Sequence, residues 1–352
     1  AGLIITYKWN ASTKVYEEQL TIAPEQDGST SIANWNFGWE TALAEPTENS
    51  VLSTTPKYLF VTAPGHNLNT GAVFLYKWAD NDDSTAWALT TTLTSDDADA
   101  GQRFGHSIAV NDNADIVAIS SKNPATAGKV EIFKRTSENS FVHRQTLTGV
   151  SADGSSNDTQ FGHSLGMSND GTTLIVSAPG LDDGVVTNTG AVYYYRWNDQ
   201  SSSETYTLKQ TIKLPNTGIN NLSFGSTIKL NKTGDRLLIG AQSFSTPTEM
   251  NFDFGATTFD LQDTAIVEKN KSSGATFTAT KYNSEFVIDD KLTTTTLSTD
   301  DRFGSGLAVN DNVVLVGSSH DDALSTDGST IQVDRGSITV YDYKTKGSYA
   351  WK

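Results

Sequence analysis

Histidines, serines and acids are the residues of this chain that could do chemistry. Five histidines stand at His66, His106, His143, His163 and His320. None forms a His-x-x-His or His-Glu-x-x-His pair, the spacings that bring two imidazoles to one metal ion. His106 and His163 each follow a Phe-Gly pair, so both read as parts of a repeated architecture. His66 and His320 read as loop residues, either of which could orient a carboxylate or bind a metal. A serine nucleophile on a strand-turn-helix elbow asks for Gly-x-Ser-x-Gly, and Gly304-Ser305-Gly306 lacks that spacing. Glycoside hydrolysis needs two carboxylates at a defined separation, but 41 acidic side chains single out no pair. Calcium favours alternating oxygen ligands around a glycine. No turn carries Asp-x-Asp-x-Asp-Gly, and Asn111-Asp112-Asn113-Ala114-Asp115 comes nearest. The clusters Asp182-Asp183 and Asp321-Asp322, with Asp327 and Asp334, could take calcium weakly and read better as solvated loops. No catalytic, cofactor-binding or metal-ligating residue is assigned, calcium stays a weak option, and the chain reads as a non-enzyme.

Composition narrows the classes further. The 352 residues carry 25 basic and 41 acidic side chains, a formal charge of -16. An acidic chain without a Lys/Arg block has no electrostatic footprint for nucleic acid. No stretch approaches the run of about 18 apolar residues that spans a bilayer as a helix. With no cysteine there is no disulfide, thiolate metal site or cysteine nucleophile. Serine, threonine and 28 glycines favour strands joined by polar turns over helical bundles. Asn-x-Ser/Thr sequons at Asn10, Asn157, Asn221, Asn231 and Asn270 are about as many as chance supplies, and they decide nothing. The chain opens on Ala1-Gly2-Leu3-Ile4-Ile5 and closes on Tyr349-Ala350-Trp351-Lys352, both strand-like, which reads as a segment of a longer polypeptide or a processed product.

The elements that must position any site repeat along the chain. Phe-Gly recurs at 37, 104, 161, 224 and 303. Each pair leads into an alternating strand, and four of them into an Asn/Asp/Gly turn; the first has a longer loop, Glu45 to Lys57. A dense apolar strand follows, such as Ile116-Val117-Ala118-Ile119 or Leu237-Leu238-Ile239. The third strand starts at a glycine, as in Gly190-Ala191-Val192-Tyr193-Tyr194-Tyr195, and a more polar fourth strand closes the unit. Apolar inner strands and a polar outer one are what a propeller blade requires, because neighbouring blades bury the inner strands on both faces. The glycine of Phe-Gly is expected to allow close backbone approach while the phenylalanine fills the gap between blades. Tryptophans at Trp9, Trp78 and Trp197 recur after third strands and read as packing at the outer turn. Residues 1–30 supply a partial blade, and 243–273 an inserted loop or hairpin. The last unit carries a shorter acidic insert, Asp321 to Asp334. Both inserts join second to third strands, which makes that side the expected contact surface.

The order Phe-Gly, apolar strand, Ala-Pro-Gly (Ala63-Pro64-Gly65, Ala178-Pro179-Gly180) and Gly-x-Val-x-x-Tyr resembles the FG-GAP repeat of integrin-α-type β-propellers. The resemblance implies an all-β propeller of five four-stranded blades plus a partial one, a single domain over 1–352, with six or seven blades if completed. The first-to-second-strand turns are too short for the calcium loops that many such blades hold, so the chain resembles a short-turn branch. The expected role is a non-enzymatic adhesion or structural module, on an extracellular or virion surface. A phage tail-fibre or decoration component ranks first, an exported bacterial or algal surface protein second, and a hydrolase-associated propeller last. The expected partners are a protein or glycan on a surface, or neighbouring domains of a longer chain.

Overall fold

The computed structural model describes residues 2–24, 33–45, 57–81, 84–97, 99–123, 126–137, 139–149, 159–198, 204–214, 219–244, 273–292, 300–310, 312–324, 331–332, 334–343 and 349–351. It is an all-β propeller fold. A two-stranded sheet, β1 (Ile4–Asn10) with β2 (Val15–Ile22), comes first. Blade one is β3 (Thr41–Ala44), β4 (Tyr58–Ala63), β5 (Ala72–Asn81) and β6 (Ser84–Leu93). Blade two is β7 (Phe104–Val110), β8 (Ile116–Ser121), β9 (Lys129–Ser137) and β10 (Ser140–Thr148). Blade three is β11 (Leu165–Met167), β12 (Thr173–Ala178), β13 (Ala191–Asn198) and β14 (Thr205–Ile212). Blade four is β15 (Thr227–Leu230), β16 (Arg236–Ala241), β17 (Ala275–Tyr282) and β18 (Glu285–Leu292). In the fifth, β19 (Phe303–Val309) and β20 (Val313–Ser318) are followed by a small hairpin, β21 (Ala323–Leu324) with β22 (Ile331–Gln332). That blade then closes with β23 (Ser337–Tyr343) and β24 (Tyr349–Trp351).

Each blade is an antiparallel meander, so short turns suffice. The chain clusters into two compact units: residues 1–123 with 129–147, and residues 124–128 with 148–352. In the first, Tyr58, Phe60, Val73, Leu75, Phe104, Val117 and Ile119 form one core. In the second, Ile175, Val192, Tyr194, Phe224, Leu237, Ile239 and Phe277 form another. Every residue of β4, β8 and β12 is buried, as expected for the dense apolar runs. The small hairpin explains part of the Asp321–Asp334 insert. The expected hairpin within 243–273 and the loop of residues 46–56 lie outside the described residues. Among the described residues no helix is long and apolar enough to cross a membrane.

Close packing uses both glycines of the repeat, to different degrees. The glycine before the third strand lies against the backbone of the next Phe-Gly phenylalanine at five places; Gly336 of the fifth blade meets Ser318 and Ser319 instead. A Cβ added at Gly2, Gly71, Gly128, Gly190 or Gly274 would meet the carbonyl oxygen of Phe37, Phe104, Phe161, Phe224 or Phe303 at 1.8, 2.0, 2.2, 2.1 and 2.3 Å. Those contacts leave no room for any side chain. The glycine inside Phe-Gly takes the same left-handed bend, with φ of +90° at Gly105 and +92° at Gly225 against +87° at Gly71 and +83° at Gly190. A Cβ there would meet a backbone carbonyl oxygen less tightly, that of Ala72 at 3.1 Å and of Ala191 at 3.2 Å. The phenylalanine ring packs edge-on against an aromatic of its own blade: Phe104 on Phe133, Phe161 on Tyr193 and Phe224 on Phe277, at centroid distances of 5.9, 5.4 and 5.5 Å. The Phe-Gly glycine thus allows the close approach expected of it, and the third-strand glycine makes a still tighter one.

The short turns seal themselves. Asn111 Oδ1 accepts the N–H groups of Asp115 and Ile116, each at 3.0 Å. Asn231 Oδ1 does the same for Asp235 and Arg236, at 3.1 and 2.9 Å. Both asparagines are buried, so the Asn231 sequon is spent inside a turn. Gly190→Ala should lower unfolding free energy by about 3 kcal/mol or more, since overlap and backbone strain combine. Gly184→Ala, at φ +64° with nothing within 4 Å, should cost only about 1 kcal/mol. Denaturant unfolding of the two variants checks this; equal losses would contradict the packing account.

Candidate functional site

Among the described residues one imidazole has a strongly altered acidity. His106 lies in β7, directly after Phe104-Gly105. Burial pushes its pKa from 6.5 down to about 4, helped by the positive charges of Lys122 and Arg103. It is therefore neutral at pH 7 and able to accept a proton.

Local sequence explains how these groups meet. Trp39 and Glu40, just ahead of β3, clamp the backbone of β7: the Trp39 indole N–H donates to the His106 carbonyl at 3.0 Å. The Ile108 N–H donates to Glu40 Oε2 at 2.9 Å. Glu40 is in turn fixed by Thr62, whose Oγ1 accepts its N–H at 3.0 Å. The Trp39 ring lies 5.9 Å from the His106 ring and is 57% exposed. Arg103 takes φ +56°, held there because its N–H donates to the Asn69 carbonyl at 2.8 Å. Lys122 follows the end of β8. Beside it Ser121, opposite Phe104 in register, is buried with a hydroxyl that has no hydrogen-bond partner among the described residues. The result is an accessible aromatic face, a neutral imidazole and two cations on one end of blade two. An imidazole can take a proton from water, and the cations can hold a negative oxygen. The sequence treated His106 as architecture alone, because nothing in the local spacing reveals Lys122 and Arg103 around it.

The other sequence candidates separate. His66 is buried against Trp35 and Phe74, with centroids 4.4 and 5.7 Å away, and serves the core. His143 pairs with Asp96 at 3.0 Å. His163 occupies the position equivalent to His106, and its N–H donates to the Gln160 carbonyl at 3.0 Å. His320 Nδ1 meets the neighbouring Ser319 hydroxyl at 2.8 Å. Asp182 accepts the Asn188 N–H at 2.7 Å, and Asp183 pairs with Lys213 at 3.3 Å. Asp322 accepts the Asp334 N–H at 3.0 Å, and Asp327 lies outside the described residues. These acids shape loops, and among the described residues no three His, Asp or Glu side chains converge as a metal site. Trp9, Trp78 and Trp197 each pack edge-on against the facing fourth-strand aromatic, Tyr16, Trp87 and Tyr206, at 5.1, 5.2 and 4.9 Å.

Residues 143–195, the outer strand of blade two and most of blade three, match the FG-GAP repeat family. A search of curated protein sequences finds no match. Among solved structures, the chain is similar to a periplasmic gluconolactonase of Pseudomonas aeruginosa, with 12% identity and a TM-score of 0.54, over 98% of this chain and 76% of that one. It is similar to a candidate 6-phosphogluconolactonase of Bacteroides uniformis, at 10% identity and TM-score 0.54, over 99% and 76%. A third, from Bacteroides fragilis with the same description, gives 11% and 0.53, over 99% and 76%. At such identity the likeness concerns the fold. It nevertheless corrects two expectations: the propellers that share this fold carry names of lactone-hydrolysing enzymes, so the virion or surface-adhesion module and the non-enzyme reading both fall. The repeat could not reveal this, since one blade stack serves display and catalysis alike. The match over residues 143–195 and the five four-stranded blades together support an FG-GAP β-propeller.

Proposed function

We propose that this chain is a hydrolase-type propeller acting on a sugar lactone, with its site at His106. The observation that carries the reading is the convergence of Trp39, His106, Arg103 and Lys122 at one end of blade two. Support comes from the gluconolactonase and 6-phosphogluconolactonase names of its structural neighbours.

A lactone is an internal ester, so opening it needs an activated water, a resting place for the oxyanion and a proton for the leaving oxygen. The neutral imidazole of His106 takes a proton as the water oxygen bonds to the lactone carbonyl carbon. Arg103 and Lys122 balance the negative charge that develops on the carbonyl oxygen. As the tetrahedral intermediate collapses, the ring C–O bond breaks and the imidazolium returns its proton to the departing alkoxide. The acidic imidazolium that burial creates is well suited to that second transfer. The product is an open-chain hydroxy acid. Trp39 offers the sugar an aromatic face, and the cations suit a substrate that carries a phosphate or yields a carboxylate.

The full chain should hydrolyse glucono-lactone or its 6-phosphate faster than the buffer does, followed as acid release at constant pH. His106→Gln should lower kcat/KM by about a hundredfold or more, in the range of a lost general base. In wild type kcat/KM should rise with pH through about 4, the pKa of His106. No rate above background for either lactone would overturn the reading, and so would a His106→Gln variant of full activity.

Stability gives a readout independent of turnover. The folded state holds His106 below its unfolded value of 6.5, so protons bind the unfolded chain more readily. This contribution is fully present above pH 6.5 and is lost as pH falls through that value towards 4. Denaturant midpoints of wild type should fall over that window relative to His106→Gln, and parallel curves would contradict the assignment.

A further inference from the structure

Blades three and four enclose a cleft of about 660 Å³, well apart in sequence from His106. Its lining is unusual for a chain of charge -16. Arg196, Trp197 and Asn198 end β13, Thr207 and Lys209 lie on β14, and Ser284 comes from the turn between β17 and β18. Arg196 and Lys209 are exposed, and among the described residues neither meets a carboxylate at ion-pair distance. Two like charges on one concave wall repel each other, so the cleft is electrostatically unbalanced until an anion enters.

The walls are fixed in advance. Gln210 on β14 forms a reciprocal clamp with β18: its amide N–H donates to the Phe286 carbonyl at 2.8 Å, and its Oε1 accepts the Phe286 N–H at 2.7 Å. Behind the cleft, Tyr194 packs edge-on against Phe286 at 5.1 Å. The Lys281 ammonium lies 5.5 Å from the Tyr194 ring centre and donates to Thr173 at 3.1 Å. Trp197 is half-buried and braced by Tyr206, whose hydroxyl donates to the Gly171 carbonyl at 2.6 Å. The cleft thus offers cations for an anionic group, an aromatic surface for a sugar ring, and amide and hydroxyl groups for its hydroxyls. Preorganised groups of these kinds lower the ordering cost of binding.

We propose that this cleft is a binding site for an acidic sugar, a ring bearing a carboxylate or a phosphate, distinct from the His106 site and independent of the lactonase reading. The two cations grip the anionic group, and Trp197 and Asn198 select for the sugar attached to it.

Calorimetric titration of the full chain with glucuronate, glucose 6-phosphate, glucose and inorganic phosphate tests this. At least one of the two acidic sugars should bind, and whichever binds tighter identifies the anionic group. Glucose and inorganic phosphate should each bind about tenfold more weakly or worse, as expected when one charge-assisted contact or the ring contacts are lost. Arg196→Gln and Lys209→Gln should each weaken the acidic sugar by about tenfold or more on the same grounds, while His106→Gln leaves it unchanged. Lys209 is exposed, so its variant keeps the test open if Arg196→Gln fails to fold. Failure of both acidic sugars to bind would overturn the proposal. So would binding of inorganic phosphate as tight as that of glucose 6-phosphate, or affinity unchanged in the charge variants that fold.

Discussion

The fold depends on a contact between backbones. Where the third strand begins in blades one to four, a glycine lies against the carbonyl of the following repeat's phenylalanine, at Gly71 and Phe104 as at Gly190 and Phe224. At three of these places, Gly71–Phe104, Gly190–Phe224 and Gly274–Phe303, the backbones also form an isolated parallel bridge. No side chain can mediate so close an approach, so the distance between one third strand and the next first strand is set by atoms that every residue carries. The phenylalanine ring is then free to pack within its own blade, where it meets the third-strand aromatic edge-on. Repetition of this one joint explains why the second strands of blades one to three become fully buried and read as unbroken apolar runs.

The same joint places the candidate site. Because Phe104 is seated against Gly71, the residues on either side of it have fixed positions. Arg103 is held in a left-handed turn by the Asn69 carbonyl, and His106 begins the part of β7 that Trp39 and Glu40 clamp. Burial there favours the neutral imidazole, and two nearby cations favour it further. A histidine at the equivalent position in another blade inherits the backbone but not these neighbours. Repeat architecture therefore supplies the mounting, and the residues that vary between blades set the surroundings of each position.

Much of the fold was legible in the sequence, for physical reasons. Phe-Gly recurring in register, the dense run Ile116-Val117-Ala118-Ile119 and the glycine at the head of each third strand all report one repeated packing problem. Which glycine makes the tighter approach was not legible, since both flank apolar strands, both take positive φ, and only their contacts tell them apart. The site was barely legible. Trp39, Arg103, His106 and Lys122 span more than eighty positions of sequence, and no motif links them. The only available signal was that Trp39 and His106 each directly follow the glycine of successive Phe-Gly pairs, which gives them equivalent repeat positions. Arg196 and Lys209 were equally hidden: the Tyr-Arg-Trp run has Tyr-Lys-Trp counterparts at 7–9 and 76–78 that read as packing, and Lys209 comes from another strand.

The site proposed at His106 depends on an imidazole whose proton affinity is held down by burial and by two neighbouring cations. Titration of the His106 ring by NMR in the folded chain, assigned by comparison with His106→Gln, measures it directly. The account predicts a midpoint near 4, with burial and the charges of Lys122 and Arg103 as its causes. A midpoint at or above the ordinary 6.5 would contradict it.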